Sequence, residues 1–129
     1  MEARVTYKDV EVEGAMYRIK KMDPRLACYV FATLAAKAEE NILDAFGHCT
    51  REQFDELQGY ALKNVDRLEQ GEGMLVPIGI MGPNGMWADK NLESDPKAVL
   101  NLTTLCLLFN IQPFLGDNKS TVPSSNQGA

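Results

Sequence analysis

Asp95-Pro96-Lys97-Ala98-Val99-Leu100-Asn101-Leu102-Thr103-Thr104-Leu105-Cys106-Leu107-Leu108-Phe109-Asn110 begins with a preferred helix cap and a proline suited to the first turn. It then becomes apolar on nearly every face. A helix of this kind, roughly Lys97 to Asn110, must be buried on most sides, either at the centre of a small domain or partly against a partner chain. Ile111-Gln112-Pro113-Phe114-Leu115-Gly116 breaks the helix while remaining hydrophobic. Beyond Asp117 the residues Ser, Thr, Pro, Asn, Gln and Gly dominate, which predicts a disordered tail over 117–129 and one domain over 1–116.

A central helix needs other elements to cover it, and the upstream sequence supplies them. Val5 to Met22 alternates: Val10 and Val12 share one face, as do Tyr17 and Ile19, and the chain turns near Glu13-Gly14. This predicts an N-terminal β-hairpin. Arg18, Lys20 and Lys21 form the one basic cluster, read as a charged sheet edge. Asp23-Pro24 repeats the cap-and-proline device and starts a long helix to about Phe46. Its stripe is Leu26, Val30, Leu34, Ala38 and Ile42, and Glu39, Glu40 and Asp44 are expected on the solvated side.

Thr50-Arg51-Glu52-Gln53 has the spacing of a capping box and opens a second helix. Phe54, Leu57, Ala61, Val65 and Leu68 mark its core face, and Gly71 with Gly73 stops it. The short link between the two helices predicts an antiparallel pair. Met74 to Met81 reads as a strand, and Gly82-Pro83-Asn84-Gly85 turns it into Met86-Trp87-Ala88, a short second hairpin. Pro77 removes a ladder donor and places the first of these strands at an edge or a bulge. The class is therefore α+β.

Composition narrows the function. The chain has 129 residues, 45% of them hydrophobic, and a formal net charge of -5. Acidity argues against a nucleic-acid surface, and the lack of an unbroken apolar run of about 18 residues argues against a membrane span. Cys28, Cys49 and Cys106 are odd in number and widely spaced, which fits a reducing cytoplasm. His48, the single histidine, adjoins Cys49 in the corner between the helices, where neighbouring side chains make a poor nucleophile and base. No metal or cofactor motif is present, so catalysis is not expected and no cofactor is required. Trp87, with Met81 and Met86 beside the Asn84-Gly85 turn, is instead a candidate partner anchor.

The two ends of the domain carry a resemblance. Gly14-Ala15-Met16-Tyr17-Arg18-Ile19-Lys20-Lys21-Met22-Asp23, leading into an alanine-rich helix, is similar to the opening strand of bacteriophage tail assembly chaperones. Leu108-Phe109-Asn110-Ile111-Gln112-Pro113-Phe114-Leu115 resembles their closing signature, although it ends in Pro-Phe-Leu where the family carries a double phenylalanine. The resemblance implies a cytoplasmic protein of an infected or lysogenic host that binds the tape-measure protein before the tail tube polymerises. It implies absence from the finished virion. The major tail protein and further copies of the chain are additional partners to consider. The alternative expectation is a small structural tail protein, a completion or tube-terminating component. On the chaperone reading, the candidate binding residues are Met81, Met86, Trp87, Phe109, Ile111, Phe114 and Leu115.

Overall fold

The computed structural model describes residues 6–115; the expected tail over 117–129 lies outside them. Strands β1 (Tyr7–Val12) and β2 (Ala15–Lys20) form the N-terminal hairpin. Val12 pairs with Ala15, and the two turn residues Glu13 and Gly14 both have positive φ, 52° and 83°. That geometry matches the right-handed twist of the strands, and a glycine at the second position suits it. Helices α1 (Pro24–Lys37) and α2 (Arg51–Leu62) follow, then β3 (Val65–Gln70), β4 (Leu75–Gly79), the one-turn α3 (Lys90–Glu93) and α4 (Pro96–Ile111). The sheet order is β1-β2-β3-β4, antiparallel throughout. The mixed α+β class is as expected, with a hairpin, helices, a second strand pair and a C-terminal helix.

Several borders differ from the sequence reading, each for a local reason. Helix α1 ends at Lys37, nine residues before Phe46 on the sequence scale, because Ala38 turns extended at ψ 140°. The Asp44 carboxylate gathers the backbone N–H groups of Glu39, Glu40 and Asn41 at 2.8, 2.8 and 3.1 Å, and the Asn41 side chain accepts from Leu43 and Asp44. Side chains of this type offer the backbone an alternative to helix. A 3-10 segment, Ile42–His48, follows. Glu39, Glu40 and Asp44 are thus a loop built around one carboxylate, and these bonds hold the Asp44 acid below its ordinary range.

Helix α2 starts at the Thr50 and Gln53 capping box as expected but stops at Leu62. Val65 and Leu68 belong to β3, where Val65 pairs with Ile19 and Gln70 with Leu75. The second hairpin is therefore β3 with β4, turning at Gly71 to Met74, while Met81 and Trp87 share a single bridge beyond it. Gly71 is required there, since a Cβ would stand 2.7 Å from the Val76 side chain. Strand β2 is interior and not an edge: Arg18 pairs with Asp9 at 2.9 Å and Lys20 with Asp66 at 2.9 Å on the outer face.

The inner face of β1 to β3 presents Val12, Tyr17, Ile19 and Val65 to the core, and α4 packs against β1 and β2 there. Its buried residues fall in pairs, 98 and 99, 102 and 103, 106 and 107, 110 and 111, one turn apart. The stretch Pro96–Leu115 contains an 18-residue window of mean hydropathy 1.5, long and apolar enough on average to cross a bilayer. Here its stripe packs against β2, α1 and α2. The polar residues in the stripe are satisfied internally. Thr103 donates to the Val99 carbonyl and accepts from Gln58 of α2. Asn110 accepts from the Met22 N–H at 2.7 Å and donates to the carbonyls of Lys20 and Cys106 at 3.0 and 2.9 Å. Lys21 bonds the Phe109 carbonyl and lies 4.0 Å over the Phe109 ring, supplying charge where a helix C-terminus welcomes it.

Burial pushes the Cys106 thiol from 9.0 up to about 11. Between those values an unfolded chain loses the proton and the folded one retains it. The stability this group contributes is thus complete below pH 9 and declines as pH rises towards 11, by about 1 kcal/mol at pH 10. Tyr17, raised mainly by burial, acts in the same direction at higher pH, whereas Lys21, lowered by burial, opposes it. Urea unfolding at pH 8 and pH 10 should show a smaller loss in Cys106→Ala than in the parent; equal losses would remove Cys106 from the account.

Candidate partner-binding surface

The helical layer stops short of the last strand. Pairing of Tyr17 with Arg67 and of Arg67 with Ile78 carries the inner face across the sheet to β4, where Val76 and Ile78 occupy it. These two are 39% and 43% exposed, and all five residues of β4 face solvent. Met74, at the preceding turn, is 65% exposed. Beyond Gly79 the chain forms a tight loop: Gly82 N–H donates to the Met86 carbonyl at 2.7 Å, with Asn84 and Gly85 at positive φ. Met86 is 63% exposed near its tip, whereas Met81 and Trp87 are half-buried and pack against the core.

The loop is held at its base. Ala88 and Asp89 N–H both donate to the Ile80 carbonyl, at 2.9 and 3.2 Å, and Ile80 is fully buried. The buried Asp89 carboxylate caps α3 through Asn91 and Leu92 and pairs with Arg67 Nη1 at 3.2 Å. That bond holds the Arg67 guanidinium above its ordinary range. Ile78, Gly79, Arg67 and Glu69 on one side and Ala88 to Asn91 on the other leave a groove open between β4 and the start of α3.

The expected binding residues occupy two places in the fold. Met81, Met86 and Trp87 belong to the loop after β4. Phe109, Ile111, Phe114 and Leu115 lie at the C-terminal end of α4, where the Phe114 ring stacks on Phe31 of α1 at 4.8 Å between centroids. Phe114 and Leu115 are exposed there and Phe109 is half-buried. Ile111 is fully buried and cannot meet a partner without opening the core, so it is withdrawn from the candidate set. The residues missed from sequence are Val76 and Ile78, β-branched residues that read as core until the helices are seen to leave them uncovered, and Leu75, exposed on the opposite face of β4.

His48 and Cys49 remain in a corner, and among the described residues no hydrogen bond joins them. His48 Nε2 stands 3.7 Å from Glu39 Oε1. A shallow depression between α1 and α2 gathers Tyr29 and Tyr60, whose hydroxyls donate to the two Glu56 oxygens at 3.0 and 2.7 Å. Among the described residues there is no group of three or more His, Cys, Asp or Glu side chains placed to hold a metal ion. No protein-family model, no curated protein and no solved structure matches the chain.

Proposed function

We propose that the chain is a non-enzymatic phage tail assembly chaperone that binds the tape-measure protein in the host cytoplasm. One observation supports this reading above the others: the apolar side chains of Val76 and Ile78 stand in the open on the inner face of β4, with Met74 at the turn before the strand and Met86 in the loop after it exposed as well. Exposed apolar residues grouped in this way mark interaction sites, while singly scattered ones do not. The chain's net charge of -5 keeps such a surface soluble. Methionine at its ends adapts to varied partner side chains.

Co-expression with the tape-measure protein of the same phage tests the proposal. The expected result is a soluble complex that Met86→Glu with Ile78→Glu weakens about thirtyfold, as loss of a binding hot spot does. Both positions are exposed, so thermal stability should change by no more than about 0.5 kcal/mol. A client that stays insoluble, or a complex indifferent to both substitutions, would count against the proposal. Recovery of the chain as a stoichiometric component of purified virions would favour the structural alternative.

A further inference from the structure

We infer that the Asn84-Gly85 loop tip is a site of self-modification, where the chain converts Asn84 to aspartate and isoaspartate and so sets a carboxylate beside Met86. The reaction needs an asparagine amide as electrophile and the next residue's backbone nitrogen as nucleophile. A side chain on that next residue crowds the ring that forms, and glycine has none. Among the described residues Asn84 is the one asparagine followed by glycine, and both residues are exposed. Other asparagines serve the fold: Asn41 caps the 3-10 segment, Asn64 donates to the Tyr60 carbonyl, and Asn110 is buried among its three partners. The chemistry balances with water as the sole co-reactant. The Gly85 nitrogen bonds to Asn84 Cγ, the Cγ–Nδ2 bond breaks, and ammonia leaves with the proton that the Gly85 N–H gives up. Water then opens the succinimide. Attack at Cγ gives aspartate; attack at the main-chain carbonyl gives isoaspartate, whose backbone runs through Cβ and Cγ and is one atom longer.

The fold sets the pace of this reaction. Asn84 stands at φ 62° and ψ 25°, a left-handed conformation that asparagine tolerates. For the ring to close, the Gly85 nitrogen must nearly eclipse Cβ, and at ψ 25° it is rotated well away. The closed loop therefore holds nucleophile and electrophile apart. Two bonds close the tip, from the Gly82 N–H to the Met86 carbonyl at 2.7 Å and from the Met86 N–H to the Pro83 carbonyl at 3.2 Å. Below it the Met81 and Trp87 bridge and the bonds from Ala88 and Asp89 to Ile80 fix the base, so the tip opens without unfolding the domain. The product acts back on the loop. Isoaspartate lengthens the backbone between the bonded residues Gly82 and Met86, and either product adds a negative charge next to an apolar side chain. The consequence for a client rests on the chaperone reading; the chemistry does not.

Incubation of the folded chain in mildly alkaline buffer, beside its own tryptic peptide Leu68–Lys90, tests the site. Mass spectrometry after chromatographic separation of the isomers should find aspartate and isoaspartate at position 84 in both samples. The folded chain should react about ten- to a thousandfold more slowly, in proportion to the population of the open tip. Asp89→Asn, which loosens the base of the loop, should speed the folded chain about threefold or more. Asn84→Gln should abolish the product, which assigns it to this position and not to Gln70. A folded chain that stays unmodified while the peptide is fully converted would overturn the inference, as would product that persists in Asn84→Gln. Conversion as fast in the folded chain as in the peptide would overturn the restraint by the turn. Mixed with the tape-measure protein, the modified chain should bind about tenfold more weakly than the parent. Equal affinities would overturn the consequence for the client, whereas a parent chain that forms no complex would remove the chaperone reading and leave the modification standing.

Discussion

Asn110→Leu should lower stability by about 3 kcal/mol, although leucine is close in size and more apolar. The Asn110 amide is buried and does three things at once: it accepts from the Met22 N–H and donates to the Lys20 and Cys106 carbonyls. These contacts tie the last turns of α4 to the junction where β2 ends and α1 begins. Leucine leaves a buried donor and a buried acceptor without partners, each costing about 1 to 3 kcal/mol. The net loss should appear in urea unfolding as a lower midpoint with an unchanged slope. Asn110→Asp separates hydrogen bonding from shape. An aspartate retains the acceptor for Met22 but turns a carboxylate oxygen on two carbonyls, so it should be at least as damaging at pH 7. It should recover part of the loss as the pH falls and its carboxyl becomes a donor. A leucine variant as stable as the parent would show that the amide does not hold the junction.

The second large effect is expected at Asp89, which has no role in the sequence reading. Its buried carboxylate pairs with Arg67 and caps α3, and its backbone N–H closes the loop on Ile80. Asp89→Ala removes the cap and leaves Arg67 facing a partly buried site without its main counter-charge, a loss of about 3 kcal/mol. Asp89→Asn keeps an oxygen for the cap and should cost about half as much. Because Asp89 fixes the base of the loop carrying Met81, Met86 and Trp87, both variants should speed amide exchange over Met81 to Ala88 more than in α4. An unchanged loop in Asp89→Ala would show that the Ile80 contacts alone suffice to hold it.

These two residues show where sequence reasoning reaches its limit. Asn110 is quoted in the resemblance to tail assembly chaperones, yet its neighbours Met22 and Lys20 are about ninety positions away along the chain. Asp89 reads as one acid among many until β3 places Arg67 beside it. Asp89 does cap α3 through its neighbours Asn91 and Leu92, but neither long-range role has a local signature, because such a bond depends on which elements meet. The candidate surface is similar. Trp87, Met81 and Met86 stand out by residue type, but the exposure of Val76 and Ile78 follows from a helical layer that ends one strand early. Ile111 shows the reverse case, an apolar residue near the chain's end that the same layer encloses.

What the sequence determines by itself is the set of features written in neighbouring residues. The Glu13-Gly14 turn, the Asp23-Pro24 and Asp95-Pro96 helix starts and the Thr50 and Gln53 capping box all rest on contacts within a few positions, and the apolar composition of α4 requires its burial whatever covers it. Tertiary structure decides the rest. Val65 and Leu68, three apart, share a face in a helix and fall on opposite faces of a strand, so their spacing favours the helix, and only the presence of β2 on one side and β4 on the other makes the strand the better arrangement. The end of α1 is likewise set by Asp44, whose carboxylate competes for N–H groups that the apolar period would have kept in a helix. Period reports which side of an element is buried; whether the element is helix or strand is settled by the backbone partners available once the chain has folded.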